Sequence, residues 1–320
     1  MTKPQISVVI VNWNARDHLQ RCLVSIEETR GALVVETIVV DNGSVDGSLE
    51  MLSQCFPHVQ VVATGQNLGF ARGNNVGIER CRADFIFFIN SDVIVKPGCF
   101  QQLLDLLQQR PEVGLAGPRI VSPDGSLQAT CCNTPSLKEA VVEAFALRRV
   151  FPAATWLPTY FLVESEHDRV REVPCMVGCF WAARREAIDQ VGVLDERFFI
   201  YSEDNDWCKR FREAGWQVLY YPLAEAIHVG GASSARDPMR FAVEMEKARR
   251  QFWTKHYGGT TLWLYVLVRT FHHGIRAVLK ALFSCLSPTR RDLLRQHCRA
   301  HWRCVGCWYR AEKNSSAASG

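Results

Sequence analysis

Three acidic residues fall within four positions in Tyr201-Ser-Glu-Asp-Asn-Asp206, and the segment after them carries Lys209, Arg210 and Arg212. A carboxylate in such a cluster can take the proton of an attacking hydroxyl as a general base, and Asp204 and Glu203 are the candidates. Acids at a helix start also serve the helix dipole without doing chemistry, so the cluster has two readings. Asn90-Ser91-Asp92 ends the apolar run 84–89. Open α/β sheets bind ligands at the carboxyl ends of their strands, and Asp92 placed there can hold a divalent cation that bridges phosphate oxygens. His228 follows a later strand pattern and precedes Val-Gly-Gly-Ala-Ser-Ser. A neutral imidazole beside such a loop can join Asp92 as a ligand, although a lone histidine is more often structural.

Asp41-Asn42-Gly43-Ser44 ends another apolar run. Asp41 can accept hydrogen bonds from a base or ribose, with Asn42-Gly43 as a tight turn; a plain turn with Ser44 as a helix cap explains the same residues. Asn67-Leu-Gly-Phe-Ala-Arg-Gly-Asn-Asn75 is less ordinary, because Gly69, Gly73 and Gly77 recur every four residues and clear one helix face. Each glycine costs a helix roughly 0.8–1.0 kcal/mol relative to alanine. Something must approach that backbone closely, either a ligand or the sheet.

What is missing narrows the chemistry. The first strand runs into Val11-Asn12-Trp13-Asn14, without the G-x-G-x-x-G turn of a dinucleotide fold. There is no P-loop and no G-x-S-x-G elbow. A diphosphate bound here needs a cation rather than a glycine cradle. A sugar-1-phosphate nucleotidyltransferase would open with a glycine-rich basic loop at this point, and Asn12-Trp13-Asn14 is not one. A non-catalytic glycan- or membrane-binding protein stays open as the other alternative.

These residues need an α/β scaffold. Apolar runs at Ile6–Val11, Val34–Val40, Val59–Ala63 and Phe85–Ile89 alternate with helical spacing, the pattern of a parallel sheet flanked by helices. Asn14 is the expected N-cap of the first helix, with Leu19, Cys22, Leu23 and Ile26 facing the sheet. Pro97 is expected in the first turn of a helix whose apolar face is Leu103, Leu104, Leu106 and Leu107. A Ser-Pro-Asp-Gly turn lies within 118–126, and 133–174 is poorly patterned, as an acceptor-side insertion would be. Cys175–Ala183 reads as a strand, Arg185–Val191 and Asp206–Ala214 as helices, and Trp216–Tyr221 as a last strand.

The net charge of +4 conceals an asymmetry. From Trp263 onward, ten Lys/Arg face only Asp292 and Glu312, about +8, which leaves about −4 before it. Leu262–Leu286 is rich in Leu, Val, Trp and Phe but carries Arg269, His272, His273, Arg276 and Lys280. That load argues against a spanning helix and for one lying in an anionic membrane interface, with a basic face and an apolar face. No nucleic-acid motif accompanies the basic tail. Thirteen scattered cysteines and an N-terminus without a signal-peptide pattern read as reduced thiols in the cytoplasm, with the protein peripheral at the inner face of the membrane. The expected organisation is a catalytic domain over 1–240, a basic helical extension over 241–312 and a disordered tail over 313–320. Within the tail region, Cys304-Val-Gly-Cys307 with His297 and His301 has zinc-compatible spacing but no second Cys-x-x-Cys.

In chain order, Ser7–Asn14, Asp41-Asn-Gly-Ser44-Val-Asp46-Gly47, Asn67–Asn75, Asn90-Ser-Asp92, Gly178-Cys-Phe-Trp181, Glu203-Asp-Asn-Asp206 and Ala226-Ile-His228 resemble glycosyltransferase family 2, most of all its rhamnosyltransferase-like branch. The resemblance spans roughly residues 5–235. It implies a GT-A fold, meaning a mostly parallel central sheet flanked by helices, here with a C-terminal amphipathic helical extension. It further implies a nucleotide-diphosphate sugar donor, a Mg²⁺ or Mn²⁺ ion, inversion at the anomeric carbon, and a glycan or lipid-linked acceptor in cell-surface polysaccharide synthesis.

By position, Asp204 would be the catalytic base, and Asp92 with His228 would meet the metal. Asp41 would contact the nucleoside. Asn12, Asn14, Asn67, Gly69, Phe70, Arg72, Asn74, Asn90 and Ser91 would line the donor site, with Trp181 and Glu203 toward the acceptor. One departure is that Asn90 stands where the family's D-x-D-like motif has its first acid, and an amide is a poorer metal ligand than a carboxylate.

Overall fold

The computed structural model describes residues 3–162, 167–230, 238–286 and 288–309. The predicted tail 313–320 lies outside the described residues. Two compact units emerge, one of 1–135 with 159–236 and one of 136–158 with 237–320.

The first unit is built on a nine-stranded sheet in the order β3-β2-β1-β4-β10-β6-β11-β5, with β8 paired to β11. β1 (Ile6–Asn12) lies between β2 (Val35–Asp41) and β4 (Phe85–Ile89), parallel to both, and β3 (Gln60–Ala63) extends the parallel edge. β10 (Phe180–Arg184) runs antiparallel between β4 and β6 (Val113–Val121). β11 (Gln217–His228) is parallel to β6, while β5 (Val93–Val95) and β8 (Arg171–Glu172) run antiparallel to β11. The sheet is therefore mostly parallel, and β4 is apolar throughout, with β1 apolar except for Ser7 and Asn12, because both faces are covered. α1 (Arg16–Thr29) and α4 (Cys99–Gln109) bury the predicted apolar stripes.

Four local expectations fail for local reasons. Asn14 is not the cap of α1: it takes a left-handed φ of 51°, which asparagine tolerates, and Ala15 occupies the cap position. The Arg16 amide is instead satisfied by Asp46 Oδ2 at 2.9 Å, a cap lent by a distant loop. Nor does Ser44 cap a helix; Gly47 precedes α2 (Ser48–Cys55), and Ser44 Oγ accepts from the Asn14 amide. Pro97 stops one residue short of Gly98, the N-cap of α4. The run Cys175–Ala183 is broken into β9 (Cys175–Met176), which pairs with β7 (Cys131–Cys132), and β10. At the break, a Cβ on Gly178 would lie 2.9 Å from the Trp181 ring.

The glycine-spaced segment forms α3 (Phe70–Ile78). A Cβ at Gly77 would come within 2.3 Å of Val9 Cγ1, and one at Gly73 within 2.9 Å of Val11 Cγ1. Two of the three glycines thus serve close packing of α3 on β1. Gly77→Ala is expected to destabilise the protein by about 1–3 kcal/mol through overpacking, read as a lowered denaturation midpoint.

The second unit contains α5 (Leu137–Ala144), α6 (Leu147–Val150), α9 (Pro238–His256), α10 (Gly259–Leu286) and α11 (Arg291–Tyr309). Part of the poorly patterned 133–174 stretch thus groups with the C-terminal helices, α5 packing on α10. The expected basic face of the long helix is only partly outward. Arg269 is 1 % exposed and pairs with Glu246 at 2.5 Å and Glu143 at 2.8 Å. His272 and His273 are also buried. Among the described residues no helix is long and apolar enough to cross a membrane.

Candidate active site

Two consecutive residues with left-handed backbone, Tyr201 (φ 71°) and Ser202 (φ 63°), lead into α8 (Glu203–Glu213). Neither is a glycine, and backbone of this kind concentrates at functional sites. The turn starts the helix at Glu203, so all three acids lie in its first turn rather than ahead of it.

Their environments differ sharply. Asp206 is fully buried and paired with Arg210 at 2.9 Å. Asp204 is half-buried, and its Oδ1 accepts from the Asn205 amide at 2.7 Å and from Asn205 Nδ2 at 2.9 Å. Burial pushes its carboxyl up to about 6, against the pull of those hydrogen bonds. Asn205 Nδ2 also donates to the Tyr160 hydroxyl at 2.8 Å. Glu203 is 7 % exposed, and its Oε2 has no partner among the described residues. Burial and then the neighbouring Asp204 charge push Glu203 well above the carboxylate range, which favours its neutral form.

The second carboxylate site sits where β4 turns into β5. The Val93 amide donates to Asn90 O at 3.1 Å, and the turn so closed holds Asn90, Ser91 and Asp92. β5 pairs with the end of β11, placing His228 opposite Val93. That register brings His228 Nε2 within 3.3 Å of Asp92 Oδ1. Burial pushes the Asp92 carboxyl up, but the hydrogen bond and charge of His228 outweigh it and leave Asp92 below its usual range. β11 needs all of its twelve residues, and a register shift between Tyr221 and Glu225, to reach this point.

Gln128 was not legible in the sequence. Its Nε2 donates to His228 O at 2.6 Å and to Ser122 Oγ at 3.1 Å, so its Oε1 is the atom facing His228 Nδ1 at 2.9 Å. Nδ1 is then a protonated nitrogen, and Nε2 is the one that faces the carboxylate oxygen. The charge between them is a proton on Nε2 in the metal-free site, and a cation can take that proton's place. In an octahedral ion with bonds of about 2.1 Å, neighbouring ligands lie about 3 Å apart, so the donor set fits a shared divalent cation. Among the described residues no third His, Cys, Asp or Glu side chain joins them.

On the β1–β2 side, Asp41 Oδ2 accepts from Asn12 Nδ2 at 3.0 Å, and Asp41 Oδ1 accepts from the Ser44 amide at 2.8 Å. Asn14 Oδ1 accepts from the Val45 amide. The buried Asn12 Oδ1 and Asn42 Oδ1 have no hydrogen-bond partner among the described residues. Asn67 Oδ1 accepts from the Gly69 amide, and the buried Asn74 donates to Phe70 O. Gly69 (φ 85°) admits no side chain, since a Cβ would lie 2.3 Å from Phe199 O. The Phe70 amide donates to that same oxygen at 2.7 Å, tying α3 to the turn that carries Asp204. Arg72 is exposed beside Glu196 at 3.6 Å. Trp181 has no exposed surface; it packs against Phe88 and Trp207 and gives its indole NH to Met176 O, so its contribution is to the floor under the site.

Both carboxylates are felt at Cys179. Burial pushes its thiol up to about 12, and the charges of Asp92 and Asp204 both add to that rise. The Asn90 amide donates to Cys179 O at 2.9 Å. Both carboxylates are thus near enough to Cys179 in the β9–β10 connection to act on it, Asp92 lowered and Asp204 raised from the ordinary aspartate value.

The sequence model described as "Glycosyl transferase family 2" matches residues 7–192. The chain is 32% identical over 265 residues to N-acetylglucosaminyl-diphospho-decaprenol L-rhamnosyltransferase of Mycobacterium tuberculosis, covering 79% of this chain and 85% of that relative. It is 22% identical over 250 residues to the low-salt glycan biosynthesis hexosyltransferase Agl10 of Haloferax volcanii, covering 77% and 74%. Among solved structures, the mannosyltransferase PcManGT from Pyrobaculum calidifontis, in complex with GDP-Man and Mn²⁺, superposes with a TM-score of 0.57 at 13% identity, over 96% of this chain and 88% of that one. GalNAc-T7 with UDP, GalNAc and Mn²⁺ gives 0.56 at 14% identity, over 84% and 54%. These likenesses establish the GT-A-like fold, and the match over more than half of the sequence establishes the rest: the chain belongs to glycosyl transferase family 2, enzymes that take a sugar from a nucleotide donor.

Proposed function

We propose that this glycosyltransferase moves a rhamnosyl group from a nucleotide-diphosphate donor, with inversion, to a hydroxyl of a lipid-linked glycan in cell-surface polysaccharide synthesis. The observation that carries the chemistry is the opposed tuning of Asp204 and Asp92. A base must be able to accept a proton near neutral pH, and a metal ligand must stay ionised. The sugar and the lipid acceptor are supported by the mycobacterial relative, whose name describes L-rhamnose transfer to a diphospho-decaprenol substrate.

Asp204 accepts the proton of the acceptor hydroxyl as that oxygen attacks the anomeric carbon. Asn205 fixes the rotamer of Asp204, leaving Oδ2 for the acceptor. Glu203 stays neutral and spares the site a second negative charge. Asp41 and Asn12 offer acceptors to the nucleoside, and the Asn67–Asn75 segment borders the donor. Asp92 and His228 would hold Mg²⁺ or Mn²⁺, which when bound neutralises charge on the departing diphosphate. Gln128 presents His228 in the tautomer needed for this. Gln128→Leu is expected to weaken cation-dependent donor binding by about 10–100-fold, read by titrating Mn²⁺ at fixed donor.

The test of the whole reading is a donor panel assayed for nucleoside diphosphate release, with a lipid-linked acceptor, with Mg²⁺ or Mn²⁺ and with chelator. Release from nucleotide-activated L-rhamnose that chelator abolishes is expected. Release from another donor only would overturn the sugar, and silence with acceptor present would overturn the reaction.

A further inference from the structure

Amphipathic helices of water-soluble units turn their charges outward, and α10 does the reverse. Its inward face carries Arg269, His272 and His273, with Arg269 neutralised by Glu246 and Glu143. Its outward face carries Leu264, Leu267, Phe271, Ile275, Val278 and Leu282, three to four residues apart and each 38–58 % exposed. No residue of α10 that is exposed bears a charge; Arg276 and Lys280 are half-buried at the margins. The stripe is continued by the α5–α6 segment. Phe145 stacks on Phe271 at 5.0 Å, and Val150, Phe151 and Trp156 are more than half exposed beside the exposed Arg148 and Arg149. An apolar strip of this length, about 27 Å from Leu264 to Leu282 at 1.5 Å per residue, is not a surface that water alone explains.

We propose that this face of the second unit docks on an anionic lipid bilayer, with the α10 stripe and Phe145, Phe151 and Trp156 sunk to the acyl boundary. Charge selects this occupant. Residues 136–158 and 237–320 hold 18 Lys/Arg against 7 Asp/Glu, while the rest of the chain holds 19 against 26. A second copy presenting the same face would bring a surplus of about +11 against another +11, whereas anionic headgroups are attracted by it. Arg148, Arg149, Arg276 and Lys280 lie where long side chains can lift their charges to the headgroup level. The inference stands on this unit alone and survives if the sugar or acceptor assigned above is wrong.

The experiment is flotation of the full chain with vesicles of phosphatidylcholine and phosphatidylglycerol in equal parts, and with phosphatidylcholine alone. The variant is Ile275→Glu/Leu282→Glu, whose two sites are exposed; a thermal melt checks its fold, and Phe151→Glu/Trp156→Glu provides an independent pair. The wild type should float with the anionic vesicles, and both pairs should reduce the bound fraction about tenfold or more at the same lipid concentration. The proposal is overturned if the wild type fails to float, if folded variants float equally well, or if neutral vesicles bind it as tightly. It is also overturned if light scattering in lipid-free buffer shows a dimer that the α10 pair dissociates, since the face would then be a self-interface.

Discussion

Asp204→Asn is expected to lower turnover by about 10²–10⁴-fold while making the folded protein more stable at pH 8. Both effects come from one environment. Burial raises the Asp204 carboxyl to about 6 in the folded chain, against an ordinary value near 3.8. The native state therefore binds this proton more tightly than the unfolded chain does. Ionising Asp204 costs folding free energy that is fully felt above pH 6 and absent below about pH 4. The cost is at most about 3 kcal/mol, a shift of about two units at 1.36 kcal/mol each. Asparagine removes the charge and the cost while keeping the shape. In the wild type, kcat/KM should fall about tenfold per pH unit below about 6, as the base is protonated. Thermal melts at pH 8 and pH 4 test the stability half: the Asp204→Asn gain should be present at the first and gone at the second. Glu203→Gln is the contrasting control, because Glu203 is already neutral and its amide should keep most of the turnover. An Asp204→Asn enzyme with near-normal turnover, or a Glu203→Gln enzyme without any, would reverse the assignment of base within the pair.

The parts of the site written in contiguous residues were readable from the sequence, and the parts assembled by register were not. Asp92 at the end of β4 and Asp41 at the end of β2 announce themselves because a polar residue closing an apolar run is local information. The family resemblance implies the pairing of Asp92 with His228, but the geometry behind it, β11 continuing past Tyr221 through a register shift to meet β5, is signalled by no periodicity. Gln128 and Asn205 are ordinary amides in sequence. They matter only because the first lies against His228 across 100 residues and the second sits directly after the acid it holds. Gly69, Gly73 and Gly77 shared one spacing but answer to different neighbours, Phe199 for the first and β1 for the others. The Leu262–Leu286 segment shows the same limit: its composition announced an amphipathic helix, but which charges face inward depends on Glu143 and Glu246, far from it in sequence.

Asp92→Ala is expected to cost about 10²–10³-fold in turnover and to abolish the response of donor binding to Mn²⁺. Among the described residues two side-chain ligands meet at this point, so the loss of one leaves His228 to anchor a cation. Chelation of the wild type should lower its donor affinity toward that of the variant and leave the variant unchanged. The stability effect should have the opposite sign to that of Asp204→Asn. His228 holds the Asp92 carboxyl below its ordinary value, so the folded state binds that proton less tightly than the unfolded chain. Such a group contributes stability above its unfolded value near 3.9, and the contribution is lost as pH falls through the lower folded value. Asp92→Ala should therefore melt below the wild type at pH 8, where Asp204→Asn melts above it. Two aspartates that act on the same buried cysteine would then be told apart by melting temperature alone, before any sugar is transferred. Equal and parallel shifts would mean that the opposed tuning of the two carboxylates is wrong, and the division of labour between base and metal ligand would go with it.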